Sequence, residues 1–194
     1  SGASDVSGDG TRVGGYSLYS GMMRGFVHIR GATGGGVGNE QMYQLPGLPA
    51  AGRHYANAIS DDGIFVVGLS NGEAHTGRAV RWDLTTIEDD GLAGVIDLGS
   101  LSGLTEGSSE AHDVSADGRV VVGEATDVDG RARAFRWVEG ATSGVAGNQQ
   151  MHDLGTLGGQ TALAAAVSRN GNWVVGVSAS EGDEQNLPFR WSEE

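Results

Sequence analysis

A chain of 194 residues and 19.9 kDa, with 35 glycines and no cysteine, fits one compact domain or an array of repeats. Glycine at this density disfavours helices, each interior glycine costing about 1 kcal/mol relative to alanine, and points to β structure with many turns. A net charge of −13 opposes binding to polyphosphates, while basic residues that are all arginine and the lack of cysteine exclude Schiff-base and P-loop lysines, disulfides, thiolate nucleophiles and cysteine-held metal centres.

No stretch approaches the roughly 18 apolar residues of a membrane span, and the opening Ser1-Gly2-Ala3-Ser4 lacks the basic and apolar regions of a signal peptide. The expectation is a soluble chain, either a mature form or an excised segment.

In chain order, the first recurring element is a turn of the form Ser-x-(Asp/Asn)-Gly, at Ser7 to Gly10, Ser60 to Gly63, Ser115 to Gly118 and Ser168 to Gly171. Its spacings are 53, 55 and 53 residues, which is a repeat period. An apolar run ending in glycine follows each turn: Val13 to Gly15, Phe65 to Gly68, Val120 to Gly123 and Trp173 to Gly176. Next come Val80-Arg81-Trp82, Phe135-Arg136-Trp137 and Phe189-Arg190-Trp191, with Phe26-Val27-His28 as a degenerate first copy. Three copies carry a closing segment, at Met42 to Leu48, Val95 to Leu101 and Met151 to Leu157. In the third copy the predicted strands are therefore Ala111 to Ser115, Arg119 to Ala125, Ala132 to Val138 and Met151 to Leu157. A run such as Val120-Val121-Val122 is apolar on both faces, as a strand covered by neighbouring sheets requires.

Four short strands per unit, repeated, predict an all-β fold: a β-propeller of four blades of about 53 residues. The blades are expected at approximately 1–51, 52–106, 107–160 and 161–194 of a single repeat domain. The stretch 31–43 closely matches 140–152, so copies one and three are nearer kin, as a duplicated two-blade unit would leave them. The fourth copy ends soon after Trp191, so its outermost strand is expected to be missing, leaving an open edge of the kind that templates pairing with another chain. Self-association through that edge is the expected partner interaction.

The third copy, through Val114-Ser115-Ala116-Asp117-Gly118, Val121-Val122-Gly123, Ala134-Phe135-Arg136-Trp137 and Met151-His152-Asp153-Leu154-Gly155-Thr156-Leu157-Gly158-Gly159, resembles the extracellular HAF repeat family. The position of that family's eponymous histidine is Arg133 here, and the first copy has His28 in place of tryptophan. The resemblance implies a bacterial surface or secreted protein, often part of an autotransporter-like chain, and no known chemistry.

Loops between second and third strands are expected to bring Glu73, Asp127, Asp129, Glu181, Asp183 and Glu184 to one face, joined by Glu106 and Glu110. Asp127-Val128-Asp129-Gly130 has the alternation of a calcium loop without its later carboxylate, making Asp127 and Asp129 weak calcium candidates against a solvated hairpin turn. The repeated tryptophans Trp82, Trp137 and Trp191 are expected to pack between blades. The preceding arginines Arg81, Arg136 and Arg190 face the other way, within reach of turn carbonyls or nearby acids. The histidines show no ligand spacing, and no nucleophile elbow occurs, so no catalytic or cofactor-binding residue is assigned.

The function expected is that of a non-enzymatic extracellular module acting in cell-surface scaffolding, adhesion or self-association, without nucleic-acid binding or membrane insertion. A glycan- or ligand-binding propeller is the alternative; it predicts equivalent loops of like composition, whereas the loops differ in every copy. A hydrolase would need carboxylates or arginines near the axis, where Ala164-Ala165-Ala166-Val167 is small and apolar.

Overall fold

A computed structural model of the chain describes residues 1–49, 51–72, 77–87, 93–183 and 185–193. Blade 1 is the antiparallel meander β1 (Gly2–Val6), β2 (Arg12–Tyr19), β3 (Met22–Ile29) and β4 (Met42–Gln44). Blade 2 comprises β5 (Ala51–Ile59), β6 (Phe65–Gly72), β7 (Arg78–Asp83) and β8 (Gly94–Asp97), and blade 3 comprises β9 (Ser109–Val114), β10 (Val120–Thr126), β11 (Ala132–Val138) and β12 (Met151–Asp153). Blade 4 has the three strands β13 (Gly158–Val167), β14 (Trp173–Ser180) and β15 (Asn186–Ser192), with a 3-10 turn at Glu181–Asp183. The four-bladed all-β architecture and its three-stranded last blade are those read from the repeat. The long inner strand β13 opens at Gly158, shortly before the expected start of the fourth blade at 161.

The repeated turn is held by its own side chains. Ser60 Oγ donates to Asp62 Oδ1 at 2.6 Å and accepts from the Phe65 amide at 2.9 Å, while Asp62 Oδ1 accepts from the Ile64 amide. Gly63 takes a φ of 72°, in the left-handed region that glycine enters without strain. Asn170 keeps the role in blade 4, accepting from Ser168 Oγ at 2.7 Å. In blade 1 the Thr11 amide and the Ser7 and Thr11 hydroxyls hold the Asp9 carboxyl down at about 2. Ser115→Ala removes the hydroxyl that bonds Asp117 and the Val120 amide, and is expected to cost about 1–2 kcal/mol in a urea melt.

Every inner strand carries a bulge at the same repeat position, between Ala3 and Asp5, Ala56 and Ala58, Ala111 and Asp113, and Ala164 and Ala166. The bulge explains the glycine that ends each Val-Val-Gly run. A β-carbon on Gly123 would run into the Glu110 carbonyl, and the equivalent positions of the other blades are equally closed by their inner strands. Gly123→Ala should therefore lower stability by about 1–3 kcal/mol, as overpacking does, and broaden the thermal transition.

The core lies between the sheets, not within any one of them. One cluster joins Val27, Ile29 and Tyr43 of blade 1 to Val66, Val80 and Trp82 of blade 2. A second joins Ala58 and Val67 to Val121, Phe135 and Trp137 of blade 3, and a third joins Val122 and Ala134 to Ala164 and Val174 of blade 4, with Trp191 against it. Each tryptophan thus fills the joint with the preceding blade, as expected. None of these clusters joins blade 4 to blade 1.

Polar groups stitch the same joints. The bulged Asn57 donates to the Ala111 carbonyl at 2.8 Å, and His112 Nδ1 lies 3.0 Å from the Ala164 carbonyl. Asp5 accepts from the Ile59 amide and Asp113 from the Val167 amide, both at about the same distance, 2.9 and 2.8 Å. Arg81 Nη1 donates to the Gly118 carbonyl of the next blade's turn at 2.8 Å, and Arg136 donates to that of Gly171, which are the turn carbonyls expected for these side chains.

Within blades, Arg78 pairs with Asp97 at 3.1 Å and Arg133 with Asp153 at 3.1 Å. Asp97 and Asp153 also accept from the amides of Gly99 and Gly155, so the Asp-Leu-Gly motif is a carboxylate shared between a strand arginine and its own turn.

Buried His54 is 1% exposed and sits beside Trp82. Burial, followed by the Arg24 charge, pulls its pKa below 6.5. The unfolded chain then binds this proton first, so stability is full above 6.5 and is lost progressively as pH falls below it and through the lower folded value. A His54→Phe chain is expected to lose less thermal stability between pH 7 and pH 5 than the parent, roughly the range over which an unperturbed histidine titrates.

Candidate functional site

The last blade differs from the others at its outer edge. In blade 1, Phe26, Val27 and His28 pair with Gln44, Tyr43 and Met42; in blade 2, Val80, Arg81 and Trp82 pair with Asp97, Ile96 and Val95. In blade 3, Phe135, Arg136 and Trp137 pair with Asp153, His152 and Met151. The equivalent residues of blade 4, Phe189, Arg190 and Trp191, pair on the inner side with Gly176, Val175 and Val174, and β15 is the edge of its sheet. Among the described residues, no strand covers the backbone groups that bind an outermost strand elsewhere, over a three-residue segment flanked by Pro188.

The broad face of β14 is uncovered as well. Val67 and Val122 are fully buried, whereas Val175 at the same repeat position is 46% exposed, and its neighbours Trp173 and Val177 are 43% and 41% exposed. Arg190 is exposed and lies over the Trp173 ring, 4.7 Å from its centre. Alternation along the strand sends Val174 into the joint with blade 3 and its neighbours to the opposite, open side.

Of the acidic loop residues expected on one face, Glu73 and Glu184 lie outside the described residues. Asp127 Oδ1 accepts from the Asp129 and Arg131 amides at 2.9 Å, and Asp129 pairs with Arg131 at 3.1 Å. These contacts close the hairpin turn. Among the described residues, Asp127 and Asp129 join no group of three ligand-type side chains.

One such group does form, from residues that sequence spacing did not connect. Glu110, His112 and Glu124 bring one ligand atom each to within 4.8 Å of the others, half-buried, where the cross-strand partners Glu110 and Glu124 meet the bulge of β9. Glu110 and Glu124 also line a cleft of about 250 Å³. Glu110 is engaged by the Asn57 amide at 3.0 Å and His112 by the Ala164 carbonyl, so two of the three already serve the joints between blades. These are the described residues that could hold a cation; the register and the bulge that gather them are not written in a motif.

The fold has solved counterparts. The chain is similar to TolB from Acinetobacter baumannii, with a TM-score of 0.59 and 15% identity over 97% of this chain. It is likewise similar to the TolB-type protein of Agrobacterium tumefaciens, with a TM-score of 0.59 and 14% identity over 98% of this chain. It spans 40% and 57% of those chains, and at this identity the likeness establishes the propeller fold alone. No family model matches the sequence, and no curated protein matches it.

Proposed function

We propose that this chain is a non-enzymatic repeat module of the HAF type, acting at the bacterial surface or outside the cell, where it scaffolds or adheres by self-association through the open edge of its last blade. The observation that carries this reading is the Phe189–Trp191 segment: its equivalents in the other three blades pair with an outer strand, and among the described residues no strand pairs with its outer side. Strand addition at such an edge is a general mode of recognition, with main-chain hydrogen bonds supplying affinity. The repeat match through Val114 to Gly118, Val121 to Gly123, Ala134 to Trp137 and Met151 to Gly159 supports the surface assignment.

The test is sedimentation velocity of the chain over a wide concentration range, with and without a synthetic peptide spanning residues 150–157, the outer strand of blade 3. Concentration-dependent association that the peptide reduces is the expected result. A chain that stays monomeric throughout, or associates with no response to the peptide, would overturn edge pairing.

A further inference from the structure

Each joint between blades uses the same lock. The residue five positions past the turn serine projects onto the turn glycine of the following blade: Arg12 against Gly63, Phe65 against Gly118 and Val120 against Gly171. A β-carbon on Gly118 would strike the Phe65 ring, and one on Gly171 would strike Val120. An arginine of the earlier blade then donates to that glycine's carbonyl: Arg12 to Gly63, Arg81 to Gly118 and Arg136 to Gly171. At the joint of blades 2 and 3, Arg81 lies between Phe65 of its own blade, 4.4 Å from the ring centre, and Trp137 of the next, at 5.0 Å.

Among the described residues, both halves of this lock are also present unjoined. At the end of the row, Trp173 occupies the position of Phe65, is exposed, and already carries Arg190 against its ring. At the start, Gly10 has nothing within 4 Å of where a β-carbon would stand, although its three counterparts are covered. Around Gly10, Val6 is 51% exposed, whereas its counterparts Ile59 and Val114 are 4% and 7% exposed inside the joints.

We infer that the Trp173, Val175 and Arg190 face of blade 4 docks on blade 1 of a second copy of this chain, with Trp173 over Gly10 and Arg190 donating to the Gly10 carbonyl. The occupant is set by continuity: the docked surface is the face that the preceding joints bury in this chain, and blade 1 presents the matching glycine turn uncovered. The inference deepens the self-association reading but rests on the sheet face, not on the strand edge. A joint of this kind is heterologous, so repetition closes a ring if the rotation permits and otherwise extends a row.

The incoming blade is imperfect in one respect. Arg81 and Arg136 each also meet an acid, Glu139 at 2.8 Å and Glu193 at 3.0 Å, whereas the blade 1 residue at that position is Arg30. The joint between copies is therefore weaker than those within the chain, and Arg30→Glu should tighten it.

Light scattering and sedimentation of the full chain test this with two blocking variants, Trp173→Asp at one end and Val6→Asp at the other. Both residues are exposed, and circular dichroism checks that each variant folds. The parent is expected to associate, and each variant alone to bind about tenfold or more weakly, as loss of a central aromatic contact does. An equimolar mixture of the two variants is expected to regain a dimer through the one intact joint, and Arg30→Glu to associate several-fold more tightly than the parent.

A monomeric parent overturns this inference and the edge reading together. Association unchanged in both blocked variants but reduced by the 150–157 peptide overturns the face and leaves the edge. Association lost in the blocked variants and indifferent to the peptide leaves the face and overturns the edge.

Discussion

Replacing Arg78 by alanine is expected to destabilise the chain by about 3–5 kcal/mol, because several acceptors lose one buried donor, at about 1–3 kcal/mol for each left unsatisfied. The side chain is fully buried, and its guanidinium donates to Asp97, to the carbonyls of Glu106 and Gly107, and to that of Leu104. Alanine would take this donor from three carbonyls and from Asp97 at the turn that leads from blade 2 to blade 3, leaving Asp97 the Gly99 amide and the Glu106 carbonyl the Ser100 hydroxyl. Arg78→Lys should recover little of the loss, because an ammonium lacks the planar fork that serves four acceptors at once. A urea melt reports the result as a lowered midpoint. A midpoint within the error of the parent's would show that the turn is held by its backbone alone.

The second large effect is expected at Trp82, which is fully buried in the joint of blades 1 and 2 and donates its indole N–H to the Pro46 carbonyl at 2.7 Å. Trp82→Ala should cost about 3–5 kcal/mol, combining the lost transfer energy with a cavity that flanking sheets cannot fill. Trp82→Phe keeps most of the ring and forfeits the hydrogen bond, with about 1–3 kcal/mol expected for the stranded carbonyl. Each blade contacts its neighbours in the row, so the damage should be local. Hydrogen exchange is expected to accelerate most in β1 to β8 of the alanine variant and least in β13 to β15. Uniform acceleration across all strands would instead show one cooperative unit.

Much of this architecture is legible in the sequence because its signals are local or periodic. The Ser-x-Asp-Gly turn announces itself by residues that bond their own backbone, and its spacing counts the blades. The alternation of Phe135, Arg136 and Trp137 places the tryptophan in one joint and the arginine in the next, as the structure shows. Other features depend on pairing register, which composition does not report. The inner-strand bulge, and with it the reason for Gly123, appears only when β9 is laid beside β10. The same register brings Glu110 and Glu124 together beside His112, and it sets Arg133, where the HAF repeats that the chain resembles have histidine, against Asp153 as an ion pair. Of the expected acidic face, Asp127 and Asp129 are spent on closing their own hairpin.

A main-chain oxygen is identical whatever amino acid bears it. Since Arg12, Arg81 and Arg136 all seek such an oxygen on the adjoining turn, neighbouring units recognise a shape and not a sequence. Side chains of the turn can therefore wander, as Asn170 has done, without loosening the seam. A gene encoding such units could lengthen or shorten by whole copies, and every new boundary would find its fit already made.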